Sequence, residues 1–118
     1  MNTPELKKRF KAYALRVINL YAALPKANTV AQIIGRQVLR SATSIGANYA
    51  EASRSRSKAE FTAKTGDSLK EIAETEYWLE LLVESKTIPA KKMADLLDET
   101  QQLTAILTSI NKRAKNDA

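Results

Sequence analysis

The sequence predicts an all-α fold, an antiparallel up-down-up-down four-helix bundle, on three observations. Glycine and proline are scarce, with three of each in 118 residues, while good helix formers such as Ala, Leu, Lys, Glu and Gln recur throughout. Apolar residues return at spacings of three and four along four successive segments. The breaks between segments are short and carry capping residues or proline. A chain of this length buries roughly two thirds of the surface its unfolded form exposes, enough for one core. A single domain over residues 1–118 is therefore expected.

The first helix is expected over residues 4–24. Thr3 serves as N-cap, Pro4 suits the first helical position, and Leu6, Phe10, Tyr13, Val17, Leu20 and Leu24 form one apolar edge that ends at Pro25. The second, over 29–53, is capped by Asn28 or Thr29 and turns Ile34, Val38, Ala42, Ile45, Tyr49 and Ala52 inward. Ser53 to Ser57 breaks the pattern. Ser57 and Glu60 then have the spacing of a capping box, in which the serine accepts from the glutamate backbone and the glutamate side chain reaches back. This opens a third helix over 58–85, with Phe61, Leu69, Ile72, Leu79, Leu82 and Val83 inside. Thr87 and Pro89 open a fourth over 89–112, where Met93, Leu96, Thr100, Leu103, Leu107 and Ile110 keep the three-four spacing. Residues Lys112 to Ala118 are expected to fray. Short connections favour antiparallel neighbours, and the seven-residue repeat favours crossing angles of about 20°.

Charge is divided unevenly along the chain. Residues 1–60 carry eleven Lys or Arg against Glu5, Glu51 and Glu60, a balance of +8, whereas residues 61–118 carry eight against ten acids, a balance of −2. Such an asymmetry suits a basic face for a polyanion, or a basic face that meets the acidic half of another copy. Cysteine is absent, which removes disulfides and thiolate sites and fits a reducing cytoplasm. No apolar run is long enough to span a bilayer and nothing resembles a secretory leader, so a soluble cytoplasmic protein without membrane contact is expected.

On a helical projection of residues 29–53, Arg36, Arg40, Ser44, Glu51 and Arg54 fall opposite the Val38, Ile45 and Tyr49 stripe. The result is a basic ridge interrupted by one acid. Asn48 and Glu51 lie one turn apart, where they would join a hydrogen-bond network with Arg40 and Ser44. This structural role is favoured over ligand contact, because a carboxylate among arginines is better suited to holding them than to attracting phosphate. Thr43, Gly46, Ala50 and Ser53 line the boundary between ridge and core with small side chains. A mid-helix glycine costs about 1 kcal/mol relative to alanine, so Gly46 marks either a close approach of another backbone or a merely tolerated glycine.

The run Leu39-Arg40-Ser41-Ala42-Thr43-Ser44-Ile45-Gly46-Ala47-Asn48-Tyr49-Ala50-Glu51-Ala52, followed by Ser57, Phe61 and the amphipathic segment from Leu69 to Leu82, resembles the four-helix-bundle family of 23S ribosomal RNA intervening-sequence proteins. The motif has the form R-x-A-x-S-I-x-A-N-x-A-E, and the match spans essentially the whole chain. Many relatives have proline where this chain has Gly46. The resemblance implies a short bacterial cytoplasmic protein that forms a homo-oligomer, typically a homopentameric ring of bundles around a central channel. Most members have no assigned biochemical role. The family is more distantly similar to the accessory proteins of diversity-generating retroelements, whose basic pentamers bind reverse transcriptase and template RNA. A reverse transcriptase is thus an implied partner if the gene belongs to such an element.

Enzyme chemistry finds little support in the residues. Histidine is absent, which removes the usual general base and zinc ligand and the Glu-x-x-His pairs of di-iron bundles. Glu71 and Glu74, one turn apart, would make an all-carboxylate metal site only with Glu51. Pairing of Lys70 with Glu74 on an exposed acidic face is the stronger reading. Neither a phosphate-binding glycine loop nor a serine-lysine arrangement occurs, so no cofactor or catalytic residue is assigned.

Two functions remain. In the first, an adaptor presents Arg36, Arg40, Arg54, Arg56 and Lys58, with Lys7, Lys8, Arg9 and Lys11, to the phosphates of RNA or DNA. Few aromatics are free for base stacking, so recognition without sequence specificity is expected. In the second, a structural or protein-binding assembly sets the basic ridge against Glu76, Glu80 and Glu84 of the next subunit. Gly46, Tyr77 and Trp78 are then the expected interface residues, with Trp78 an anchor. Filling of the bundle's own core is the competing role for Trp78.

Overall fold

The computed structural model describes residues 1–116, which form four α-helices and no strand: α1 (Thr3–Ala23), α2 (Thr29–Ala52), α3 (Lys58–Glu84) and α4 (Ala90–Asn116). Local chemistry sets their ends. Asn2, rather than Thr3, caps α1, because its backbone is extended and its Oδ1 accepts from the Glu5 N–H at 2.9 Å. Asn28 caps α2 in the same way, accepting from Ala31 at 3.0 Å. Ser57 caps α3 by accepting from Glu60 N–H at 3.1 Å. The return arm of the box is displaced: Glu60 Oε2 accepts from the Arg56 N–H at 3.3 Å, one residue before the serine.

α3 ends in a left-handed residue, Lys86, with φ 60°. The Lys86 N–H donates to Val83 O at 2.9 Å and the Thr87 N–H to Leu82 O at 3.1 Å, the two bonds of a Schellman motif. α4 continues to Asn116 instead of fraying from residue 112, and the last two residues of the tail expected to fray, 117–118, lie outside the described residues. Its last turns are tied down by Asn111, whose Nδ2 donates to Thr62 O at 3.0 Å and to Thr65 Oγ1 at 2.8 Å. Arg113 and Lys115 then lie in the final turn, where cations interact favourably with the helix dipole. No helix among the described residues is long and apolar enough to cross a membrane.

Contacts between neighbouring helices run in opposite chain order. Along α2 and α3, Glu51 meets Lys64, Ile45 O accepts from Ser68, and Ser41 meets Thr75. Phe10 of α1 stacks near Tyr49 of α2, while Tyr21 and Leu24 close on Gly35. Arg9 of α1 reaches Glu99 of α4, and Leu24 lies with Lys92 and Leu96 at the far end. The helices are therefore antiparallel to their neighbours, giving a rod of 48 × 21 × 20 Å. The first turns of α1 and α3 and the last turns of α2 and α4 share one end of the rod.

The interior follows the apolar edges that the three-four spacing marks, including Leu6, Phe10, Val17, Val38, Ile45, Ile72, Leu79, Met93, Leu103 and Leu107, whereas Phe61, expected inside, is only half-buried at the end of the bundle and lies outside this cluster. It is crossed by polar groups, of which the three-four spacing marks only Thr100. Ser41, Thr65, Ser68, Thr75 and Thr100 are all fully buried. Each finds a partner: Ser68 Oγ donates to Ile45 O at 2.9 Å, the Ser41 and Thr75 hydroxyls lie 2.7 Å apart, and Tyr13 meets Thr100 at 2.6 Å. Small hydroxyl side chains let α2 and α3 approach closely, and bonding across the seam offsets the cost of burying them.

Two glycines serve the α1–α2 seam. A Cβ on Gly46 would stand 3.1 Å from Phe10 Cβ, so the close approach signalled by this glycine is to α1 of the same chain. A Cβ on Gly35 would meet Leu24 Cδ1 at 2.5 Å and Tyr21 Cδ1 at 2.9 Å. The hydrophobic pattern passes over Gly35 altogether.

Candidate functional site

The cations expected along one α2 ridge fall into different environments. Arg40 turns towards α3, where its guanidinium pairs with Glu74 and lies 3.5 Å from Glu71 Oε2. This takes Glu74 from the expected partner Lys70 and sets a cation, not a metal site, between the two carboxylates. No group of three or more His, Cys, Asp or Glu able to hold a metal ion occurs among the described residues. Arg36 stays exposed on the outer side of α2, and Arg54, Arg56 and Lys58 are exposed around the α2–α3 connection. Arg9 is also engaged: its Nε and Nη2 donate to the two oxygens of Glu99 at 2.8 and 2.6 Å, and Nη2 also donates to Gln102. That hydrogen bonding keeps the Glu99 carboxyl below the usual carboxylate range and raises Arg9.

The network expected among Arg40, Ser44, Asn48 and Glu51 is replaced by pairs across the α2–α3 seam. Glu51 Oε2 lies 2.6 Å from Lys64 Nζ, and this bond lowers the glutamate and raises the lysine. Ser44 Oγ donates to the Arg40 backbone carbonyl at 2.8 Å, leaving the guanidinium to α3. Asn48 is half-buried and forms no side-chain hydrogen bond among the described residues. A projection of one helix shows which side chains share a face; it does not show that Lys64, Glu71 and Glu74 of a neighbour reach them first.

Tyr77 lies 56% exposed on α3. Trp78 is half-buried and packs against the core, edge-on to Tyr77 with ring centroids 5.2 Å apart and planes at 71°. Its Nε1 is buried without a hydrogen-bond partner among the described residues. Leu15, Ile18, Val30 and Ile33 add apolar surface on α1 and α2.

The end of the rod where α1 and α3 begin gathers a different set of groups. An open cleft of about 730 Å³ lies there, with Leu6, Tyr49, Phe61 and Ile110 at its apolar part and Arg56, Lys58 and Arg113 among its polar residues. Lys7, Lys8 and Lys11 line a separate hollow with Pro4 and Glu5 on the first turns of α1. Lys112 and Lys115 flank Arg113 along α4 and are exposed. Cations from the start of α1, the α2–α3 connection and the last turns of α4 thus converge, although they are far apart in sequence. The α4 contribution is missed by sequence reasoning because residues 112–116 look like a frayed tail; the signal available was Asn111, a polar residue one step past the apolar edge.

The family model of the 23S rRNA-intervening sequence proteins matches residues 4–109, nearly the whole of this four-helix unit. The chain belongs to that family. A crystal structure of a protein of unknown function from the S23 ribosomal protein family of Bacteroides thetaiotaomicron is similar, with 37% identity and a TM-score of 0.84. The similarity covers 91% of this chain and 98% of that one. No curated protein matches the sequence. For this member of the intervening-sequence family, the shared bundle leaves its activity to be argued from surface chemistry.

Proposed function

We propose that the chain is a non-enzymatic, cytoplasmic adaptor that acts as a homo-oligomer, a pentamer in the arrangement its family resemblance implies, and binds nucleic acid through phosphates without sequence specificity. The observation that carries this reading is the convergence of Arg54, Arg56, Arg113, Lys112 and Lys115 with the lysines of early α1 at one end of the rod. Such a cluster attracts a phosphate backbone and gains free energy from counterion release. Arg40 contributes little to it, since Glu71 and Glu74 already neutralise its charge. Arg36 stands apart on α2 as a secondary contact.

The test is a binding titration with structured RNA and duplex DNA at several salt concentrations. Each phosphate contact contributes roughly −0.7 to −0.9 to the slope of log K against log salt. The triple variant Arg54→Glu, Arg56→Glu, Arg113→Glu should flatten that slope by about 2 to 3, while Arg40→Gln leaves it nearly unchanged. An undiminished slope in the triple variant would reject the bundle end as the contact surface.

Self-association is supported by a separate observation. Leu15, Ile33 and Tyr77 are each more than half exposed, at 55, 54 and 56%, and lie on α1, α2 and α3 respectively. Apolar surface spread over more than one face suits a head-to-tail contact, in which each copy uses two different patches.

A further inference from the structure

The cleft at the basic end differs from an ordinary charged surface in what lies beneath its cations. Phe61 is half-buried and Tyr49 only 3% exposed, and both line the cleft together with Leu6 and Ile110. Tyr49 makes no side-chain hydrogen bond among the described residues, and its hydroxyl is not among the side-chain atoms sealed from solvent without a partner. A nearly buried phenol whose polar tip is neither satisfied nor sealed therefore borders an open cavity. No carboxylate among the described residues lines that cavity, although the Glu60 carboxylate accepts from the backbone N–H of the lining residue Arg56 at 3.3 Å. Arg56 comes from the α2–α3 connection and Arg113 from α4, so the cations border the aromatic floor from two sides of the bundle.

We infer that this cleft is a nucleotide site for single-stranded nucleic acid: an unstacked base rests against Phe61, within reach of the Tyr49 hydroxyl, and its phosphate pairs with Arg56 and Arg113. The inference rests on the adaptor reading above and adds to it a preference for strands whose bases are free. The physical reasons are three. A volume of about 730 Å³ falls in the range of roughly 300–1,000 Å³ typical of small-molecule sites. Every base has a π-face that stacks on an aromatic ring, which gives affinity without sequence preference. Guanidinium groups match phosphate oxygens in a fork geometry that a lysine lacks. A duplex keeps its bases stacked inward and can use only the cations.

The experiment measures anisotropy of the full chain with a labelled single-stranded oligouridylate, a duplex of equal length, and uridine monophosphate as competitor. Tighter binding of the single strand is expected. Phe61→Ala should weaken the single strand about tenfold and leave the duplex unchanged. Tyr49→Phe keeps the ring that packs on Phe10 and removes only the hydroxyl, so it tests the site even if Phe61→Ala fails to fold; a severalfold loss confined to the single strand is expected. Equal salt-dependent binding of both forms, indifferent to either variant, would remove the nucleotide site and leave the adaptor reading standing. Saturable binding of the monophosphate with no preference for the oligonucleotide would overturn the single-strand assignment. Failure to bind either polymer would overturn both readings.

Discussion

Arg9 and Glu99 show how much one residue pair contributes to holding the first and last helices together. The guanidinium donates to both carboxylate oxygens, and both side chains are about four-fifths shielded from solvent. The hydrogen bond to Arg9 depresses the Glu99 pKa, so the pair contributes stability that is fully present above the ordinary glutamate range. That stability is lost as pH falls through the depressed value. Glu99→Gln should therefore cost about 1 kcal/mol near neutral pH, after allowance for screening at a partly exposed pair. The variant should also show a shallower loss of stability on acidification than the parent in urea titrations. Parallel curves at all pH values would mean that the pair contributes nothing. Tyr13 is the buried counterpart: burial pushes its phenol up to about 12. Thr100 Oγ1 already donates to Leu96 O at 2.7 Å, so the Tyr13 hydroxyl must be the donor in their shared bond.

At the scale of the element, the connection from α3 to α4 rests on a backbone conformation that its residue does not favour. Lys86 stands at φ 60°, where Cβ crowds the carbonyl. The two bonds of the Schellman motif and the packing of Ile88 on the core hold it there. Glycine tolerates that conformation without steric cost. Lys86→Gly should raise stability by about 1 kcal/mol, a gain of a few degrees in Tm for a chain of this size, measured by thermal circular dichroism. A lower Tm would mean that the lysine side chain contributes more than its backbone costs. α4 makes the complementary point. Asn111 bonds to α3 and carries the last helical turns forward, and those turns bring Arg113 to the cleft.

For the whole molecule, the antiparallel order decides which distant residues become neighbours. It brings the ends of α2 and α4 to the starts of α1 and α3, concentrating cations, and leaves Glu80 and Glu84 near the other end of α3. Assembly is tested at this scale. Trp78 packs against the core, with its Nε1 buried and without a partner among the described residues, and lies edge-on to the exposed Tyr77, so Tyr77 is the residue of this pair that the proposed subunit contact would use. Tyr77→Glu, which places a charge at that contact without opening the core, should shift the protein to a folded monomer in light scattering. An assembly of unchanged mass would rule out this patch as the interface.

The sequence by itself determined the helices and their inner edges. The three-four spacing and the capping residues are local, and the apolar positions of a helix follow from its period alone. It also determined the excess of cations in the first sixty residues. Only the tertiary structure decided which cations remain available. Arg40 and Arg9 are engaged by carboxylates 31 to 90 residues away, the close approach at Gly46 is to Phe10 of α1, and Arg113 joins Arg56 across the end of the rod. Such pairings depend on the register and order of packed helices, and a periodic pattern within one helix carries no information about the side chains its neighbour brings.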